Sequence, residues 1–386
     1  MKFIEKYWLI LFVFENLCTQ FRPLMALDKP AFALVTFTAC LIVLTNITSV
    51  LSMSAVRRYP YIYAFIIVVF VYQMTFGWMH INEKTWGYLF ARPVFAFAMI
   101  VSISKNFEYY YKQFFIDMAY VCAGLIVYGK FFGGGSMMHG ADERLELGFG
   151  NPNTTSCVGA FAFCFLFTQV QKFNKKILLV LAINLYAVFV GGSRIAMFAV
   201  LLAIGFKYGF NLKTLKYSLY GLLIVFALNA VGFHIVALDR LVDTVQSEDM
   251  NADREIEREA AWTQINENPI EGNGIYPPLS KAALEISELG SHNGYLDMMK
   301  FFGIPLAIVI FIVLAWETIR LFRQFYNSNI IAKGHLLMVL IIIPSATVES
   351  YFIGIHEYGT TLFYISYIIL CMKNKQYYAQ NNQITA

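Results

Sequence analysis

Charge is scarce in this chain: Asp, Glu, Lys and Arg supply 14% of its 386 residues, where a soluble globular protein carries about a quarter. Its six cysteines (Cys18, Cys40, Cys122, Cys157, Cys164 and Cys371) form no CxxC pair, so the spacing indicates neither a disulfide framework nor a zinc site. No Walker motif, GxSxG elbow or HExxH occurs, and no stretch repeats. Gly272 and Gly274, in NPIEGNGIYPP, read as a turn because no strand precedes them. ATP-driven transport and the use of nucleotide-sugar donors are therefore not expected of this chain. The start, MKFIEKYWLILFVFENLCTQ, has no small-residue cleavage site and reads as a retained first helix.

Apolar residues are what the sequence has in excess: 58% hydrophobic, with 36 Phe and 24 Tyr. One soluble core cannot hide them, so lipid must be part of the solvent. A helix needs about 20 mainly apolar residues to cross a bilayer. Twelve candidate spans follow, centred on Leu9–Cys18, Ala31–Leu51, Tyr61–Trp78, Tyr88–Ser104, Phe114–Phe132, Thr155–Gln169, Ile177–Val190, Ile195–Gly205, Tyr217–Leu238, Tyr295–Leu321, His335–Ser350 and Thr360–Met372. The expected fold is all-α: one integral membrane domain over residues 1–386 with about 12 transmembrane helices.

Basic residues set the orientation. With the N-terminus inside, the inner loops hold 17 of the 29 Lys and Arg residues, and every inner loop is basic. Both termini are then expected in the cytoplasm. The longest loop, Asp239–Ser291, falls outside and carries 12 acidic and 4 basic residues. Within it, Asp253–Asn266 reads as a helix stopped by Asn268-Pro269, with Ile256, Ala260 and Ile265 as its apolar stripe.

The outer arginines are the chemical signal. Arg144 stands in RLELGFGNPN and Arg194 in GGSRIA, a turn short enough to hold its guanidinium at the membrane surface. Arg254 and Arg258 are four apart on the loop helix, hence on one face. A shared anion would offset their repulsion, and the planar fork of arginine suits phosphate oxygens. The plainer alternatives are pairing of Arg254 and Arg258 with Glu255, Glu257 and Glu259, and snorkelling of Arg194. Arg92, in FARPV near the outer end of the fourth span, either faces the same cavity or pairs with a carboxylate.

His292 stands in GSHNGYLDMMKFFGIP, where the long loop meets the tenth span. Histidine titrates near neutrality and is a candidate general base or acid, with Asn293 orienting it or holding a sugar hydroxyl. The plainer reading is a helix start capped by Ser291 or Asn293. Asp297 and Lys300, at i and i+3, are expected to pair. Glu349, His356 and Glu357 form a polar group near the last helices, read as structural. No histidine spacing suits a metal.

His292-Asn293, nine residues and Gly303 resemble the H-N-x9-G signature of the O-antigen ligase and O-antigen polymerase superfamily. REIEREAAWTQINENPIEGNGI resembles the Arg, Trp, Pro and G-x-G segment those proteins carry before that His. GGSRIA resembles their Ser-Arg turn, and RLELGFGNPN their Arg-to-Pro-Asn loop. The matches run in the family's order from Arg144 to Gly303. The resemblance implies a bacterial inner-membrane glycosyltransferase whose donor is a glycan on undecaprenyl diphosphate. It implies no cofactor, no metal and no nucleic acid. His292 and Asn293 would be catalytic, and Arg194, Arg254, Arg258 and Arg144 would hold the diphosphate, with Arg92 a lesser candidate. A polymerase passes the chain to another lipid-linked repeat unit; a ligase passes it to lipid A–core. The aromatic-rich composition resembles the polymerases, for which a flippase and a chain-length regulator are candidate partners. A flippase or secondary transporter is the competing class, disfavoured because the charges gather at the outer face instead of the midplane.

Overall fold

In lipid a backbone must satisfy its own hydrogen bonds, and uniformly apolar runs do so as helices. The computed structural model describes residues 2–80, 83–133, 136–139, 142–230, 252–275, 292–352, 354 and 357–384. The first half holds α1 (Lys2–Gln20), a 3-10 turn (Arg22–Leu27), α2 (Asp28–Thr45), α3 (Ile47–Val50), α4 (Met53–Arg58), α5 (Pro60–Thr75), α6 (Glu83–Lys105), α7 (Phe107–Lys112) and α8 (Phe114–Tyr128). A hairpin of β1 (Ser136–His139) and β2 (Asp142–Leu145) follows, pairing Met137 with Arg144. Then come α9 (Pro152–Gln169), α10 (Lys175–Gly191), α11 (Arg194–Tyr208), α12 (Leu212–Ala230), α13 (Ala252–Glu267), α14 (Gly294–Phe302), α15 (Ile304–Phe325), α16 (Ile330–Ser345) and α17 (Tyr358–Ile384).

The fold is thus a helical bundle, and each of the twelve apolar stretches contains described helix. Among the described residues four helices are long and apolar enough to cross a membrane: Arg22–Thr45, Thr85–Lys105, Phe114–Gly133 and Ile304–Phe325. Pro60–Thr75 and Ile330–Ser345 are shorter apolar helices. The middle of the bundle is α9, packed by α8, α10, α11 and α16. Its small residues let α10 close in: a Cβ on Gly159 would reach Ala187 at 2.9 Å. His335 is buried among Tyr111, Phe115 and Phe165, its Nε2 2.9 Å from the Tyr111 carbonyl.

Three expectations are corrected. Tyr295–Leu321 is not one helix: α14 ends at Gly303, whose φ is +85°, a conformation costly to residues with a Cβ. Pro305 then sits in the first turn of α15, where its missing N–H is no loss. The stretch His335–Ser350 starts too late; α16 runs Ile330–Ser345 and ends one residue after Pro344. The helix expected at Asp253–Asn266 is α13, Ala252–Glu267, but its buried side holds Glu257, Ala261 and Ile265 while Ile256 is exposed. Ala261 and Ile265 pack on Leu296 of α14, and that contact, not the strongest apolar stripe, sets the helix's rotation. Of the Asp239–Ser291 loop, residues 239–251 and 276–291 lie outside the described residues, as does His356.

Candidate active site

The GGSRIA turn and the RLELGFGNPN loop interlock. Gly192 closes α10 in the left-handed conformation at φ +67°, and Ser193 starts α11. The last carbonyls of α10 need donors, and Arg144 supplies them: its Nε and Nη2 donate to the Gly191 oxygen at 2.9 and 2.6 Å. Nη2 also donates to Asn153 Oδ1 at 2.6 Å. Asn151 caps α9, accepting from the Asn153 N–H at 2.7 Å, and the Ser193 N–H donates to Ser156 Oγ at 3.2 Å. Arg144 is buried. It is a brace that fixes the α10–α11 turn from the hairpin side, and Arg194 is the first residue of α11 that this turn presents.

The other two motifs interlock as well. Asn293 caps α14, its Oδ1 accepting from the Tyr295 and Leu296 N–H groups at 3.0 and 3.2 Å. The nine residues between Asn293 and Gly303 are α14 itself, so the H-N-x9-G spacing is a capped helix of fixed length. Its far end is pinned by the NPIEGNG turn: Asn273 and Gly274 N–H groups donate to the Lys300 and Phe301 carbonyls at 2.9 and 3.1 Å, and Ile304 N–H to Pro269 O at 2.8 Å. The turn expected at Gly272 and Gly274 is present, with both at positive φ. Asp297 and Lys300 pair at 3.1 Å, as expected.

A loop over 346–352 joins the two halves. Gly294 N–H donates to the Ala346 and Glu349 carbonyls at 2.8 and 3.0 Å, which brings the His292–Asn293 corner against this loop. On the other side Val348 and Glu349 share a cavity of about 220 Å³ with Asn153, Ser193, Arg194, Ile195 and Phe198. Arg194 and Glu349 are both half-buried. The cavity thus sets one guanidinium, one carboxylate and the start of α11 together, and Ser193 makes no side-chain cap bond there. First-turn N–H groups and an arginine favour an anion, while Glu349 can accept a proton or a hydroxyl hydrogen bond.

His292 has φ +44°, left-handed for a residue with a Cβ, a strain of about 1–3 kcal/mol. Among the described residues two other non-glycine residues share that trait, Leu147 and Phe352. All three lie in loops at the Arg194 end of the bundle, where strain marks a place held by its surroundings.

Arg92 is set apart from this cavity. Its guanidinium donates to the Phe352 carbonyl at 2.5 Å, the Tyr364 hydroxyl at 2.6 Å, the Tyr88 hydroxyl at 3.0 Å and the Gly354 carbonyl at 3.3 Å. It also lies over the Phe65 ring at 4.6 Å. Arg92 therefore clamps Phe352 and Gly354, which follow Glu349. Below it, burial pushes the Glu357 carboxyl up to about 8; Thr360 and Arg92 oppose the rise, and Asp297 and Glu349 add to it. Arg258 is exposed on α13, and Arg254 occupies the position one turn before it. Sequence reasoning gave Glu349 only a structural part. Its place beside Arg194 depends on a contact across more than 150 residues of chain, which no local pattern signals.

The class this fold and site define is a multi-pass α-helical membrane protein with a polar, arginine-bearing site at one end of its bundle. A family model described as O-antigen ligase matches residues 177–312, a segment from α10 into α15 that includes Arg194, Arg254, Arg258 and His292. That match makes this segment similar to the O-antigen ligase family, supports the O-antigen polymerase and ligase superfamily, and suggests a glycosyl-transferring enzyme. No curated protein and no solved structure matches the chain.

Proposed function

We propose that the protein is an O-antigen or related polysaccharide polymerase of the inner membrane. It moves a growing glycan from undecaprenyl diphosphate to a second undecaprenyl-diphosphate-linked repeat unit at the periplasmic face. The observation that carries this reading is the shared cavity of Arg194 and Glu349, with the His292–Asn293 corner hydrogen-bonded to the loop behind it. In this reading the diphosphate lies against Arg194 and the start of α11, with Arg254 and Arg258 approaching from α13. Arg144 contributes by holding the α10–α11 turn. The bond between the anomeric carbon and the diphosphate oxygen breaks, and the charge that develops on the leaving group meets the guanidinium. An acceptor hydroxyl attacks the anomeric carbon and gives its proton to His292, with Asn293 holding the loop geometry through its cap. No nucleotide is needed, because the diphosphate leaving group supplies the driving force.

The orientation belongs to the same reading: twelve crossings, both termini cytoplasmic and α13 outside, as the basic inner loops suggest. Thr263 is exposed on α13. A Thr263→Cys variant should react with a membrane-impermeant thiol reagent in cells whose outer membrane has been permeabilised; protection there would invert the topology.

The ligase is the second reading, favoured by the description of the matching family. Purified protein in liposomes with lipid-linked repeat units, with and without lipid A–core, separates the readings. Ladders of increasing glycan length on undecaprenyl diphosphate support the polymerase. Transfer to lipid A–core without lengthening means ligase. Movement of the repeat across the bilayer without any new glycosidic bond means flippase.

A further inference from the structure

At the opposite end of the bundle lies a second cavity, of about 780 Å³, where the end of α15 meets the start of α16 and the flank of α17. Three cations line it: Arg320, Arg323 and Lys373. Arg320 is committed to Glu317, its Nε and Nη2 donating to the two carboxylate oxygens at 2.9 and 2.6 Å. Tyr367 also donates to Glu317 at 2.9 Å, so that carboxylate is fully engaged within the wall. Arg323 and Lys373 are different. Neither has a carboxylate within ion-pair distance among the described residues. Arg323 is exposed, and Lys373 rests on the face of Tyr111 at 5.2 Å. Gln324, in the cavity wall, donates to Asn374 and ties α15 to α17. The cavity therefore keeps an excess of two positive charges inside a braced wall.

The same helix carries an apolar track to this cavity. Val309, Ile312, Trp316 and Ile319 are all exposed, Trp316 by 72%. Their spacing of three, four and three puts them on one face of α15. Trp316 and Ile319 also line the cavity, so the track runs into the cationic cluster without a break. Trp at such a boundary is the usual residue of a headgroup interface. A soluble anion would need the cations and nothing of the track.

We propose that this cavity binds the phosphodiester headgroup of an anionic phospholipid, whose acyl chains lie along the Val309–Ile319 face of α15. Arg323 and Lys373 receive the phosphate, and Trp316 marks the depth at which headgroup gives way to chain. The site is independent of the transferase reading and lies at the other end of the bundle from its cavity.

Native mass spectrometry of the full-length protein in detergent tests this, with phosphatidylglycerol or phosphatidylethanolamine added at equal concentration. The wild type should retain phosphatidylglycerol and shed phosphatidylethanolamine. Each cation near an anionic headgroup contributes about fivefold, so Arg323→Gln with Lys373→Gln should weaken retention roughly 25-fold. Trp316→Ala should weaken it as well, while leaving both charges in place. Inorganic phosphate, at ionic strength matched with chloride, should not displace the lipid. Equal retention of the two lipids, or unchanged retention in both variants, overturns the proposal. Displacement by phosphate alone would also overturn it, by making the cavity a soluble-anion site.

Discussion

The two ends of the bundle hold their arginines in opposite ways. At one end Arg144 and Arg92 are buried and spend their donors on backbone carbonyls: Gly191 for the first, Phe352 and Gly354 for the second. Their work is to fix the α10–α11 turn and the loop after Glu349, and what those two segments present to each other is Arg194 and Glu349. At the other end Arg323, in the last turn of α15, and Lys373, on the flank of α17, have no such carbonyl scaffold among the described residues and stand next to an exposed tryptophan. A site for chemistry needs its charges placed to within a fraction of an ångström; a site for a lipid headgroup needs charge and depth. The left-handed residues Leu147, His292 and Phe352 make the same point. Local strain is gathered where loops are braced around the Arg194 cavity.

Substitutions at the two ends should therefore differ in kind. The largest effect on turnover is expected at His292. His292→Ala in purified enzyme with lipid-linked repeats should slow chain growth roughly 10²–10⁴-fold, the usual contribution of a positioned base. Unchanged growth in the variant would reduce the His292 corner to a helix start, as structured as the lipid-facing end and no more catalytic.

Gly303→Ala probes the brace itself. Its φ of +85° and a Cβ that would fall on the Ile270 carbonyl oxygen cost about 1–3 kcal/mol for the conformation alone, with the overlap in addition. Folded yield and melting temperature should both drop. A variant as stable as wild type would mean that the joint between α14 and α15 can relax without harm.

A smaller effect concerns pH. The folded protein holds the Glu357 carboxyl proton up to about 8, against 4.5 for the ordinary group. The folded state therefore binds more protons than the unfolded chain between those values, and stability falls as pH rises from 4.5 towards 8. Glu357→Gln should flatten that slope in thermal unfolding. A slope identical to wild type would show that Glu357 is not the group responsible.

Much of the site was legible because its motifs are local. The GGSRIA turn, the Asn293 cap and the α13 helix each announce themselves within a dozen residues. Arg144 and Arg194 were both expected at a diphosphate, and the bracing part of Arg144 was not foreseen, because the Gly191 carbonyl that it caps is visible only in three dimensions. Phase was the harder problem. In a chain this uniformly apolar a run of Phe, Ile and Leu fixes neither the helix's rotation nor its ends, which is why α16 was read five residues late and the break at Gly303 was read through. Arg92 was expected in the cavity or on a carboxylate because an intramembrane arginine needs partners; carbonyls of a loop some 260 residues away met that need instead.

The central claim is that Arg194 binds a diphosphate, and equilibrium binding measures it most directly. Undecaprenyl diphosphate, carrying no glycan, should bind the wild-type protein in detergent and bind Arg194→Ala about ten- to a hundredfold more weakly, the cost of losing a charge-assisted hydrogen bond. Arg194→Lys should recover only part, because lysine has no planar fork, and Arg323→Gln at the opposite end should bind as wild type does. Equal affinity in wild type and Arg194→Ala, with the variant folded, would contradict the account and leave Arg194 an anchor at the membrane surface.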